Sequence, residues 1–136
     1  MIHAMIDLET LSTRPNATIL TIGGVKFDPY SYAEPTHGIY HRIDVDSQTA
    51  MGRVDVFWCQ GPLFDYAILQ NFYAQMNVPV PWNYWQIRDS RTLFSLVPRD
   101  PKEKRTGLHN ALEDCYFQAK KVQKVFHELD IKNDRY

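Results

Sequence analysis

Five side chains of this protein are of kinds that do chemistry in combination. Asp7 and Glu9 lie in the run Met5-Ile6-Asp7-Leu8-Glu9-Thr10, Asp65 follows Gly61-Pro62-Leu63-Phe64, and His109 and Asp114 bracket Asn110-Ala111-Leu112-Glu113. Singly each is ordinary. An isolated Asp-x-Glu is usually a solvated pair at a strand end, and a lone Asp in a first helical turn usually serves its own helix. Together they are the set that two-metal hydrolysis of a phosphodiester needs. Carboxylates are hard oxygen donors that select magnesium or manganese over zinc, and an imidazole can take a proton near neutral pH.

The elements that would carry these groups can be read from apolar periodicity. The run from Ile2 to Leu8 is apolar and ends in acids, so it predicts a central strand covered on both faces. Side chains alternate along a strand, which puts Asp7 and Glu9 on the same side. Two anions that close repel and raise each other's pKa unless a cation sits between them. Val54 to Cys59 predicts another strand, broken by Gln60-Gly61-Pro62. Gly61 reads as an N-cap and Pro62 as the first helical position. Phe64, Ile68, Phe72 and Met76 recur every four residues, predicting a helix over 63–76 with a buried stripe and Asp65 in its first turn.

The last helix has the clearest signal. Asn110 and Glu113 form an Asn-x-x-Glu start, and Leu112, Cys115, Ala119, Val122, Phe126 and Leu129 step by three and four. The helix is expected over 111–129, with Asp114 beside the buried stripe. His109 then precedes the cap and can swing toward the carboxylates from a loop.

In this order the motifs resemble the DEDDh group of 3'-5' exonucleases. The wording of residues 5–29, of Gly61-Pro62-Leu63-Phe64-Asp65-Tyr66-Ala67-Ile68-Leu69 and of Arg88-Asp89-Ser90-Arg91-Thr92-Leu93 is similar to the phage exonuclease A and mycobacterial 3'-5' exoribonuclease group within it. The resemblance spans nearly the whole chain. It implies that Asp7, Glu9 and Asp114 hold one ion and that Asp7 bridges to a second. Asp65 would bind through water or orient that shell, and His109 would be the general base. It further implies that Thr10 and Leu11 contact the terminal nucleotide, with Leu11 against the base. Gln60 and Phe64 would contact a base or sugar. For Leu11 and Phe64 core packing is an equal reading, and for Gln60 a solvated loop is. Arg88, Asp89 and Arg91 are either phosphate contacts or a structural ion pair.

The implied fold is an RNase H-like α/β fold. Its mixed five-stranded sheet would have order 3-2-1-4-5, with strand two antiparallel and helices on its faces. The expected strands are 2–8, 18–27, 38–45, 54–59 and 84–88, with a turn at 28–31. One feature conflicts with that order. Strands three and four would run parallel on opposite sides of strand one, and the residues between Val45 and Val54 are too few for such a crossover. This predicts a segment missing from the chain near 51–54.

Composition sets the remaining bounds. A chain of 136 residues with 44% hydrophobic residues suits a single domain, here 1–136. A net charge of −1 provides no global basic field, so nucleic acid would be bound locally, near its 3' end. The two cysteines, Cys59 and Cys115, read as small core residues of a reducing compartment. No signal-peptide pattern or membrane-length apolar stretch is present, which points to a cytoplasmic protein, and the resemblance implies that it is bacterial or phage-encoded. The polar run 101–105 reads as a loop and the tail 130–136 as frayed. The aromatic stretch 78–85 is either a homodimer surface or a packed loop.

The expected partner is the 3' end of single-stranded nucleic acid, RNA slightly favoured over DNA, cut to nucleoside 5'-monophosphates with two magnesium or manganese ions. Two other readings are a catalytically silent nucleic-acid-binding module of the same fold and a nucleotide pyrophosphohydrolase.

Overall fold

Alternating small and branched apolar residues make His3–Thr10 a strand buried on both sides, and it forms the centre of the sheet as β1. The structure, a computed structural model, describes residues 2–10, 14–15, 19–41, 54–103 and 110–132. β1 pairs antiparallel with β2 (Ile19–Phe27), which pairs antiparallel with β3 (Thr36–His41). On its other side β1 pairs parallel with β4 (Val56–Cys59), and β4 parallel with β5 (Ile87–Asp89). The observed order is β3-β2-β1-β4-β5.

Helices cover both faces. α1 (Asp65–Gln75) packs on the face formed by Ala4, Ile6, Leu8, Ile22 and Phe57. α2 (Ser90–Phe94) and α3 (Ala111–Glu128) pack on the face of Met5, Val25, Phe27 and Trp58. That second core includes a polar pair, since the indole Nε1–H of Trp58 donates to Nδ1 of the fully buried His3 at 2.9 Å. Cys59 and Cys115 are buried free thiols.

Several boundaries differ from the sequence expectation. Residues 84–86 form a 3-10 turn rather than strand. The Asn83 N–H donates to Gln86 Oε1 at 2.7 Å, and the Asn83 side chain accepts in return from the Gln86 N–H, which winds the chain before β5 can start. The first helix starts at Asp65, not at 63. Gly61 takes φ +100°, a left-handed conformation suited to glycine, and its carbonyl accepts from the N–H groups of Phe64 and Asp65. A strict step of four drifts around a helix of 3.6 residues per turn, so Met76 ends exposed while Tyr66, Leu69 and Tyr73 join Ile68 inside. α2 was not anticipated. Asp89 caps it, its Oδ1 accepting from the Arg91 N–H at 3.0 Å and its Oδ2 from the Thr92 hydroxyl at 2.9 Å. In the aromatic stretch Trp82 is packed against Phe57, Tyr66 and Tyr73, whereas Tyr84 and Trp85 are exposed.

Through Ile22, His41 of β3 is level with Leu8 of β1, while Val56 of β4 is level with His3. The chain must therefore cross three strand spacings and go back five residues, roughly 22 Å in a straight line. Residues 42–55 reach roughly 50 Å extended. Length alone thus permits the crossing, and the expectation of a missing segment near 51–54 falls on residues mostly outside those described.

α3 lies unusually low on the sheet. A Cβ on Gly23 would sit 2.4 Å from the Ala111 carbonyl carbon and 2.7 Å from the Leu112 nitrogen. These are backbone atoms, so no side chain can swing away. Gly23→Ala is expected to cost at least about 3 kcal/mol in urea unfolding. Gly38→Ala should cost less, because its Cβ would meet the Tyr116 hydroxyl and a Leu112 methyl, ends of side chains that can move. Equal losses for the two variants would contradict this account of the packing.

Candidate active site

The sheet and helices α1 and α3 bring four acids toward one end of the fold. Asp7 and Glu9 share the face of Met5, the face that α3 covers. Their partners across the β1–β2 ladder are Gly23 and Thr21. The start of α3 rests on Gly23, so the helix begins directly beside Asp7. Asn110 fixes that start, its Oδ1 accepting from the N–H groups of Leu112 at 2.9 Å and Glu113 at 3.2 Å. Asp114 then falls in the first turn, half-buried. The Cys115 thiol accepts from the Asp7 backbone N–H. Burial first, and then the charges of Asp7, Asp65 and Asp114, push its pKa well up. The charges of all three acids thus reach one buried sulfur.

Asp65 arrives from the other side of the sheet. The β1–β4 ladder spans His3–Met5, and beyond it the Leu8 N–H donates to Asp65 Oδ1 at 3.3 Å. Asp65 is only 2% exposed. Burial raises its pKa to about 7, against the lowering effect of the Leu8 N–H, its own N–H and the Arg91 charge.

Glu9 is held at one oxygen. The Thr21 hydroxyl donates to Glu9 Oε2 at 3.1 Å, while Oε1 is buried with no hydrogen-bond partner. The register of β1 on β2 shifts between Glu9 and Thr10, a bulge of the kind that re-aims side chains beside a site.

Among the described residues no three acid, histidine or cysteine side chains already close on a common point that could hold a metal ion. The donor set nonetheless fits a hard divalent cation. It is all carboxylate, one of its oxygens is buried and unpartnered, and a cation beside Asp65 would favour the charged form that burial disfavours.

The other expected site residues fall as follows. Thr10 ends β1 and is half-buried. Gln60 follows β4 and lines a groove of about 450 Å³ that runs between α2 and α3 past Phe94, Phe117 and Lys121. Phe64 is partly buried and packs against the α1-side core. Leu11 and His109 lie outside the described residues. Arg88 donates to the Trp85 and Ile87 carbonyls and Asp89 caps α2, so both serve local structure. Sequence reasoning missed Thr21, whose only signal was its place opposite Glu9, and Arg91 as a charge acting on Asp65.

Asp65 gives a signed pH dependence. Its folded pKa lies above the ordinary carboxyl value, so between about pH 4 and 7 the folded protein keeps a proton that the unfolded chain has shed. The favourable contribution is present below this window and is lost as pH rises through it. The slope is at most about 1.4 kcal/mol per pH unit. Metal-free protein should therefore show a steeper fall in urea midpoint from pH 4.5 to 7.5 than Asp65→Asn does. Parallel profiles for the two proteins would contradict the burial argument.

The family model described as "3'-5' exoribonuclease Rv2179c-like domain" matches residues 2–56 and 52–126. No curated protein matches the sequence. Among solved structures, an exonuclease X in complex with 5' overhanging duplex DNA is similar in fold, with a TM-score of 0.52 at 14% identity, covering 96% of this chain and 94% of that one. Among the described residues no helix is long and apolar enough to cross a membrane.

Proposed function

This chain belongs to the 3'-5' exoribonuclease Rv2179c-like domain family, and from that footing we propose that it is a metal-dependent exonuclease of the DEDDh type. It removes nucleoside 5'-monophosphates from the 3' end of single-stranded nucleic acid, RNA in preference to DNA. The observation that carries the reading is the gathering of Asp7, Glu9, Asp65 and Asp114 at one end of the sheet, with one Glu9 oxygen buried and unpartnered.

Asp7, Glu9, Asp65 and Asp114 would hold two magnesium or manganese ions, which supply Lewis-acid activation of the attacking water and stabilise the leaving 3'-oxygen. Asp7 and Glu9 are placed by the strand, Asp114 by the cap of α3 and Asp65 by its bond to Leu8. His109 adjoins that cap in sequence and takes the proton from the water. Thr10 and Leu11 follow the first acids and bear on the terminal nucleotide, while Gln60 and Phe64 flank the approach to Asp65. The exonuclease X structure carries bound DNA, which supports a nucleic-acid partner for this fold. The buried free thiols suit a reducing cytoplasm. Exposed Tyr84 and Trp85 would form the contact of a homodimer. The two family-model matches overlap at 52–56, which supports a chain shortened near 51–54.

A second reading, a silent nucleic-acid-binding module, draws on one observation: no three-ligand group is already closed among the described residues. The test is incubation with 3'-labelled and 5'-labelled single-stranded RNA and DNA of one sequence, with magnesium or manganese. Stepwise loss from the 3' end is expected, faster on RNA and abolished by EDTA or by Asp7→Ala. His109→Ala should slow it by about 10²- to 10⁴-fold. No turnover of either polymer, with no binding of manganese, would establish the silent module instead.

A further inference from the structure

Thr21 sits directly opposite Glu9 in the β1–β2 ladder and is itself buried, at 6% exposed. Its hydroxyl donates to Glu9 Oε2 at 3.1 Å. The other carboxylate oxygen, Oε1, is buried and accepts from nothing. The two oxygens of one acid are thus in opposite situations, one tied to the sheet by a donor and one buried without any.

A glutamate has three side-chain torsions, so it does not hold a ligand geometry by itself. The aspartates of the site have fewer. Glu9 also stands at the register shift that ends regular pairing of β1, where the ladder cannot steady it further. A hydroxyl on the neighbouring strand supplies the missing restraint. A threonine suits the place because it is β-branched, stiff in a strand, and presents one donor at fixed reach.

From this geometry we propose that Thr21 is a positioning residue. It fixes Glu9 through Oε2 so that Oε1 is aimed to ligate a divalent cation. The inference rests on the metal-dependent reading above and goes beyond it by assigning which oxygen binds and what orients it. Partners that orient a ligand in this way typically change metal affinity by about 10- to 100-fold when removed.

The experiment compares wild type, Thr21→Val, Thr21→Ser and Asp7→Ala in manganese titrations by calorimetry. It also measures the metal concentration giving half-maximal turnover and the melting temperature of the metal-free proteins. Thr21→Val keeps the shape and the β-propensity but removes the donor. It should weaken manganese binding and raise the half-maximal metal concentration by about 10- to 100-fold, with the metal-free melting temperature close to wild type. Thr21→Ser retains the hydroxyl and should bind manganese within a few-fold of wild type.

Thr21→Val binding manganese like wild type would overturn the proposal while leaving the exonuclease reading intact. So would Thr21→Ser losing as much affinity as Thr21→Val, because the hydroxyl would then not be the cause. If wild type itself binds no manganese, the metal-dependent reading fails and this inference fails with it. If Thr21→Val does not fold, Thr21→Ala, which likewise lacks the donor, takes its place: weakened manganese binding is expected, and wild-type affinity would overturn the proposal.

Discussion

The approach of α3 to the backbone of β2 at Gly23 is the contact on which the rest of the site depends. Where any other residue would place a Cβ, the first turn of the helix places the Ala111 carbonyl group. The residues that follow on the same face, Cys115 and Ala119, are also small and fully buried, so the helix stays low along its length. A helix seated higher would carry Asp114 away from the strand. Seated here, it brings the Cys115 thiol within reach of the Asp7 backbone, where the charges of Asp7, Asp65 and Asp114 all act on it. Position follows from the smallness of side chains that themselves do no chemistry.

Bringing anions together in a buried place has to be offset, and for Asp65 and Glu9 the described hydrogen bonds come from neutral dipoles. Asp65 accepts from the Leu8 N–H and lies in the first turn of α1, where the positive end of the helix dipole favours it. Glu9 accepts from a threonine hydroxyl. Arg91 is the cation whose charge reaches Asp65, and it is not enough to bring that pKa back to the carboxylate range. Neutral donors hold carboxylates in place without neutralising them. A salt bridge would satisfy the charge and occupy the oxygens, whereas a hydroxyl or amide on one oxygen leaves the other available.

The elements carried by strong local signals were readable in the sequence. The alternation in β1 placed Asp7 and Glu9 on one face, and the Asn110 start with its small and branched apolar stripe gave α3 almost to the residue. Features set by partners distant in sequence were not. Asp65 looks like a first-turn acid from its neighbours, and only the folded chain shows that it is buried and bonded to Leu8, far away in sequence. β5 is short because a local cap between Asn83 and Gln86 competes with the strand, and α2 exists because Asp89 caps it. Both depend on side-chain bonds that apolar periodicity does not record. Thr21 is a common strand residue, and its meaning comes from register, which a single strand does not reveal.

The cap of α3 also bears on the proposed base. A histidine five residues before Asp114 within a helix would point away from it, since five steps at 3.6 per turn rotate well off the shared face. Asn110 prevents this, because its extended backbone and the two N–H groups bonded to its side chain make it the boundary of the helix. The residue before a cap is outside the helix, and one peptide bond keeps its Cα within about 3.8 Å of the cap's own. The helix start so defined rests on Gly23, opposite Asp7. The glycine that admits the helix and the asparagine that begins it together set the start of α3 beside the strand that carries Asp7 and Glu9.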